Sequence, residues 1–426
     1  MRIKFNQVIA VFILLLTASN VLSQAKQLTI QDCYKLARQN YPLIKKQSLI
    51  SKSAQFSLDN ASKLYLPQLS VNGQATYQSQ TISFPEALSG SSGISLPSIS
   101  KDQYRIQAEL SQQIFDGGVS RNQKALISAN ELTQQQSLEV NLAALKDRVN
   151  QVYFAILLMD QQLKQNDIRK IDLQGALDKA TVALKNGTSY KSNTDELKAA
   201  LITVDMTAIE FRANRKAFMD MLSLLIGQPL DENTQCVLPV SIGNSAEINR
   251  PELKLFDLQK KTFDIQEKQL RSDYNPKLSA FVQGAYGRPT LNIIQNKFGP
   301  WWLGGLRLSW SLSSLYTLKN NRNLLNINRQ NLDIDKETFL FNTNITLSQQ
   351  NADIKKYTDL IQQDDAVISL RSAVRQSAQA QLDNGVITVH EYISKLNEEN
   401  MAKQSRIVHN IQLLQAQYNY KNTSGN

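Results

Sequence analysis

Four short stretches of the chain change between apolar and polar residues at every step. From Leu69 the apolar set is Leu69, Val71, Gly73, Ala75 and Tyr77, and the alternates are Ser70, Asn72, Gln74, Thr76 and Gln78. From Tyr104 one face carries Tyr104, Ile106, Ala108 and Leu110, and the other Arg105, Gln107, Glu109, Ser111 and Gln113. Trp302, Leu306, Leu308 and Trp310 alternate with Arg307, Ser309 and Ser311. The stretch from Leu278 is less regular, because Phe281 falls among the polar positions. Alternation with a period of two predicts strands with one apolar and one polar face. The pattern therefore places two hairpins, about 68–115 and about 277–312, with strands of roughly ten residues, the length of a tilted strand that crosses a bilayer.

Elsewhere the period lengthens. Leu138, Leu142, Leu145, Val149, Val152 and Ile156 step by alternating fours and threes, as do Leu197, Leu201, Val204, Ala208 and Phe211, and Ile407, Ile411, Leu414 and Tyr418. That stepping is the seam of packed, coiled-coil-like helices. Proline, which breaks helix interiors, is absent from Ser98 to Gln228 and from Trp301 to the end. Two runs end in Asn-Gly, at Asn186–Gly187 and Asn384–Gly385, a helix C-cap and turn signal. Each half of the chain then holds a long helix, a tight turn and a return helix: about 119–227 and about 316–423. A helix from 119 to 185 would be on the order of 100 Å long. Thr29 followed by Asp32 predicts a capped helix start.

The two halves also match in sequence. At an offset of 209, Pro42, Tyr65, Pro67, Leu69, Ser70, Gln74 and Tyr77 fall on Pro251, Tyr274, Pro276, Leu278, Ser279, Gln283 and Tyr286. At an offset of 198, Leu110, Ser111, Asn122, Asn130, Gln151, Leu184, Asn186 and Gly187 fall on Leu308, Ser309, Asn320, Asn328, Gln349, Leu382, Asn384 and Gly385. A period this long exceeds a solenoid unit and indicates a duplicated domain. The first half, 24–228, and the second, 250–426, are joined by a connector, 229–249.

Composition narrows the reading. Arg2 and Lys4 precede the short apolar run Val8–Leu16, and Ser23 offers a cleavage point; 1–23 reads as a secretory signal peptide. No later segment is long and apolar enough for a spanning helix, so a membrane location would have to be built from strands. The formal charge of +10 is spread among amides and acids, with no basic stripe interleaved with aromatics, which argues against nucleic acid as a partner. Cys33 and Cys236 could bridge or remain free. His390 and His409 stand outside any metal-ligand spacing, and no nucleophile, phosphate-loop or zinc motif is present. The reading is a non-enzyme with no cofactor and no metal.

The polar strand positions Arg105, Gln107, Glu109, Arg307 and Ser309 are candidates to face a wet pore. Tyr77, Tyr104, Trp301, Trp302 and Trp310 lie toward strand ends, where an aromatic belt meets the membrane interface. Four strands cannot close a barrel, and open edges cannot lie in lipid. Either several chains share one barrel, or the sheet packs on the helices in a soluble scaffold.

The motifs AsnTyrPro at Asn40–Pro42 and ArgProGluLeu at Arg250–Leu253, TyrLeuProGlnLeuSer and TyrAsnProLysLeuSer before the hairpins, IlePheAspGlyGly at Ile114–Gly118 and the paired Asn-Gly turns resemble, in order and spacing, the TolC-like outer-membrane efflux family. The resemblance implies a mainly α chain with a membrane β-barrel part: a long coiled-coil helical tunnel and four strands per chain, twelve in a homotrimer. It implies a passive exit duct of a tripartite efflux or type I secretion system, set in outer-membrane lipid with its helices in the periplasm. The implied partners are a periplasmic membrane-fusion adaptor and an inner-membrane pump or transporter. The implied periplasmic aperture lies at the helix turns, Asn186, Gly187, Asn384 and Gly385, with Glu391 as a candidate for an anionic ring; a helix-start acid is the other reading of Glu391. Ser394, Leu382 and Ile387 stand where the resemblance leads one to expect a second acid, a Tyr and an Arg, so the polar latch is not reproduced. The competing function is a periplasmic coiled-coil scaffold or adaptor without a pore.

Overall fold

The computed structural model describes residues 27–82, 99–243, 247–292 and 295–426. The predicted export segment 1–23 and the predicted tip of the first hairpin, 83–98, lie outside the described residues. In chain order come β1 (Gln27–Leu28), α1 (Ile30–Asn40), a 3-10 turn (Pro42–Lys45), α2 (Lys46–Lys63), β2 (Gln68–Tyr77) and β3 (Asp102–Phe115). Three helices follow, α3 (Val119–Ala143), α4 (Leu145–Lys185) and α5 (Lys191–Ile226), and then β4 (Gln235–Cys236). The rest is α6 (Pro251–Asp273), β5 (Lys277–Arg288), β6 (Gly299–Ser309), a 3-10 turn (Leu312–Ser314), α7 (Leu315–Asp383) and α8 (Val389–Ser424). The chain is mostly helical, as the long proline-free tracts predict. One difference is the interruption between α3 and α4 at Ala144, a single residue whose backbone stays right-handed (φ −62°, ψ −16°). Neither proline nor glycine stands there to announce it.

The chain forms two compact units. One comprises Lys46–Ser137 and Lys254–Lys336 and contains a four-stranded antiparallel sheet in the order β2-β3-β5-β6. The two hairpins meet along β3 and β5. Among the described residues β2 and β6 each pair on one side only, so the sheet has two open edges. In the same unit α6 and α7 are joined largely by charge: Lys260–Asp333 at 2.8 Å, Lys336–Asp257 at 3.0 Å, and Arg329 to Asp264 at 3.1 Å and Glu267 at 2.9 Å. Hydrogen bonds from Arg271 and Arg329 hold the Glu267 carboxyl down at about 2.

The other unit comprises the described residues up to Lys45 and those of Leu138–Leu253 and Glu337–Asn426. The predicted seams supply much of its core, with Phe211 and Ile407 only half-buried. Leu138, Leu142, Leu145, Val149, Val152 and Ile156 are all buried, as are Leu197, Leu201, Val204 and Ala208, and Ile411, Leu414 and Tyr418. Most of them fall in two clusters. In the first, α1 packs against α4, α5 and α8 around Cys33, Tyr153, Phe154 and Leu222. In the second, α4, α5, α7 and α8 close on Leu173, Leu197, Tyr392 and Leu396. The predicted cap of α1 is present: Thr29 Oγ1 accepts from the Asp32 amide at 3.2 Å, and Asp32 accepts from the Thr29 amide. The connector is tied into this unit at several points. Leu28 pairs in parallel with Cys236, and Arg215 donates to Asp160 at 2.6 Å and to the carbonyls of Glu232 and Thr234. Cys33 and Cys236 are free thiols.

One helix is left short of partners. α7 has 69 residues, about 100 Å at 1.5 Å per residue. Its only buried residues are Thr343, Leu347 and Ala378. Leu324, Ile334, Phe341 and Leu370 stay exposed, at 58–70%. A helix normally gains its stability by burying such a stripe. No helix among the described residues is long and apolar enough to cross a membrane.

Candidate functional site: the polar sheet face and the helix tips

Strand pairing sorts the sheet into two faces. Cross-strand rows on one face read Leu69, Leu110, Val282, Gly304; then Val71, Ala108, Gly284, Trp302; then Gly73, Ile106, Tyr286, Pro300. Leu278 with Leu308 and Ala280 with Leu306 extend it. This apolar face is uncovered: Leu69, Leu306 and Leu308 are about 70% exposed and Trp302 is 75% exposed. In water that arrangement is costly, since burying each such side chain is worth roughly 1.5–3 kcal/mol.

Rows on the opposite face read Gln74, Arg105, Gly287, Gly299; then Asn72, Gln107, Ala285, Trp301; then Ser70, Glu109, Gln283, Leu303. Arg105, Gln107, Glu109, Arg307 and Ser309 thus share one face. They are knitted together: Arg105 donates to Gln74 at 2.7 Å, Gln107 to Gln283 at 2.6 Å, and Arg307 to Glu109 at 3.0 Å across the intervening β5. Phe281, the irregular position, lies on this face between Ser111 and Gly305. The Arg307 guanidinium sits 4.5 Å from the centre of its ring, a cation–π contact that explains an aromatic residue among polar ones.

The aromatics fall toward the two ends of the strands. Tyr77 and Tyr104 lie toward one end of the apolar face, where Tyr104 and Tyr286 both stack on Phe298 at 6.2 Å and Arg288 pairs with Asp102. The register separates Trp301, on the polar face, from Trp302, on the apolar one. Trp310 lies one residue beyond β6 at the other end, its indole donating to the Tyr274 carbonyl at 3.0 Å. There the IlePheAspGlyGly motif finds its use. Asp116 accepts from the amides of Gly118 (2.9 Å) and Ser120 (2.7 Å), capping the start of α3. Asn275 donates to the Gly117 carbonyl, and a side chain at Gly117 would lie 2.6 Å from the Asn275 Cβ.

The helix turns have matching geometry. Gly187 and Gly385 are left-handed, with φ of +72° and +71°. The amides of Thr188 and Val386 return to the carbonyls of Ala183 and Gln381, the bonding of a Schellman cap. After the second turn Thr388 and Glu391 form a capping box: Glu391 accepts from the Thr388 amide at 2.8 Å, and that bond holds its carboxyl below the ordinary glutamate range. Glu391 is exposed, so its charge remains free to act outward. Leu382 and Ile387 pack against the second core cluster, and His390 meets Glu196 at 2.7 Å, linking α8 to α5. Local patterning gives no sign of Glu399. Its buried carboxylate meets Arg375 at 2.9 Å, Lys403 at 2.8 Å and Ser372 at 2.6 Å. Burial alone would raise this carboxyl, but the Lys403 and Ser372 hydrogen bonds and the neighbouring cations hold it down.

An amphipathic antiparallel sheet joined to helices of this length is the fold of an outer-membrane channel protein. Residues 33–228 match the family model described as outer membrane efflux protein. Over those residues the chain is similar to outer-membrane efflux proteins, which supports a conduit rather than an enzyme, set in the outer membrane with its helices in the periplasm. Solved structures agree in fold. The channel CusC is 14% identical with a TM-score of 0.68, over 93% of this chain and 92% of that one. The Vibrio cholerae outer-membrane protein VceC is 11% identical with a TM-score of 0.64, over 93% and 96%. The Campylobacter jejuni outer-membrane channel CmeC is 13% identical with a TM-score of 0.62, over 93% and 85%. No curated protein matches the sequence significantly.

Proposed function

We propose that three copies of the chain close one twelve-stranded barrel and that solutes leave the cell passively through it. The observation that carries this reading is the sheet: among the described residues it has an exposed apolar face, a polar face and two unpaired edges. An unpaired backbone group in hydrocarbon costs several kcal/mol, so such a sheet can enter lipid only if β2 of one copy pairs with β6 of the next. The exposed stripe of α7 supports the same assembly, since neighbouring copies would supply the helices it lacks. The matched offsets support two repeats, 24–228 and 250–426, on either side of the connector 229–249. A wall built twice from one helix–hairpin–helix plan follows from that duplication.

Energy would come from an inner-membrane pump, reached through a periplasmic adaptor at the turns around Gly187 and Gly385. Glu391 would place three carboxylates at that end, an anionic constriction. Glu391→Gln tests it, because the amide removes the charge while keeping an acceptor for the Thr388 amide. In reconstituted channels this variant should lower cation preference or block by divalent cations; an unchanged pore removes Glu391 from the aperture. The assembly itself is tested by the native mass of protein extracted from washed outer membranes in mild detergent. A membrane-integral trimer is expected, and a soluble monomer or dimer would return the sheet to a scaffold role.

A further inference from the structure

The polar face of the sheet carries an unbalanced charge. Among the described residues of its strands, the charges on this face are Arg105, Lys277 and Arg307 against Glu109 alone. That is +2 per chain and +6 in a three-chain barrel. Arg307 is accounted for, paired with Glu109 and stacked on Phe281. Arg105 is not. Its hydrogen-bond partner is the neutral Gln74, and no carboxylate lies within ion-pair distance of it among the described residues. The two positions beside it in its row are Gly287 and Gly299, which carry no side chain to pair with or cover its guanidinium. At Gly287 a Cβ would come 2.3 Å from the Tyr104 carbonyl and 2.9 Å from the Arg105 Cα, so the bare floor beside Arg105 is enforced by backbone contact.

We propose that Arg105 forms a ring of three uncompensated guanidinium groups inside the barrel and that the duct favours anionic cargo there, such as small carboxylate- or phosphate-bearing solutes. The inference rests on the three-chain barrel argued above. The apolar face must meet lipid, so the face bearing Arg105 must line the lumen, where three-fold symmetry sets the copies at one height. Rings of one sign in a low-dielectric wall bias the ions that pass. A guanidinium cannot lose its charge near neutral pH, so this bias would persist across the physiological range.

The test is the reversal potential of the purified full-length channel in a planar bilayer under a KCl gradient, for the parent, Arg105→Gln and Glu109→Gln. Arg105→Gln should lower the chloride-to-potassium permeability ratio by about twofold or more, and Glu109→Gln should raise it, as expected for single-ring changes in a charged pore. Any contribution from the helix tips is common to all three proteins and cancels in the comparison. Channels of normal conductance with the same ratio in parent and Arg105→Gln would overturn the proposal while leaving the barrel intact. Protein that forms no channels and is not a trimer would instead overturn the barrel, and the proposal with it.

Discussion

Asp116 sits in the five-residue motif that leaves β3, and its carboxylate serves two amides of the next helix start. Burial by itself would raise this carboxyl. Hydrogen bonds from Ser120, Tyr65 and the Gly118 amide outweigh that effect and hold it at about 2. Because the folded value lies below the ordinary carboxylate range, the stabilisation is complete above about pH 4 and is lost as pH falls through about 2. Asp116→Ala should cost about 1–2 kcal/mol at neutral pH, the usual range for a lost N-cap. Asp116→Asn should cost less, since an amide oxygen still accepts. Glu267, also held at about 2, titrates in the same window. The measurement is therefore the difference in unfolding free energy between each variant and the parent from pH 2 to 6, in detergent. A difference between Asp116→Ala and the parent that stays constant over that range would show that Asp116 is not the group responsible.

At the scale of elements, the turns at Gly187 and Gly385 do for the helices what Asp116 does for one loop. Both glycines are left-handed, and nothing crowds the space a Cβ would occupy. An alanine there meets only its own backbone penalty, about 1–2 kcal/mol. Gly385→Ala should lower stability by that amount and speed proteolytic nicking at the turn without altering the core; a neutral effect on both would mean the turn tolerates another geometry. These turns, the Thr29 cap and the seams were legible in the sequence because each depends on residues within a turn or two of one another. Four strands and their faces were legible for the same reason, as period-two patterns. The sheet order was not. Placing β3 beside β5 unites residues such as Gln107 and Gln283, 176 positions apart, and nothing local encodes that register. Phe281 looked like a flaw in its strand because its partner, Arg307, is on another one. Glu399 has no complete local signature because, beyond Lys403 one turn on, its partners Arg375 and Ser372 come from a different helix. The break at Ala144 has no residue-type signature.

For the whole molecule, the question is how many edges must meet before none is left. Each chain offers one β2 edge and one β6 edge, and joining them head to tail closes a ring only at a fixed number of copies; otherwise the sheet grows without end. That difference can be read directly. A single cysteine on β2, at Asn72, can be scanned against single cysteines along β6, at Leu303, Gly305 and Ser309, with Cys33 and Cys236 replaced by alanine. Both native thiols lie in or against a packed core, well away from these positions in sequence. One β6 position should cross-link efficiently in native membranes, and denaturing gels should show dimers and trimers and no larger species. The ladder would stop at three because a third bond would join the last free β6 to the first free β2. A ladder ending at two or four would keep the barrel and change its stoichiometry. A ladder without an end would mean that the edges stack openly, and the exposed apolar faces would then need a cover other than lipid.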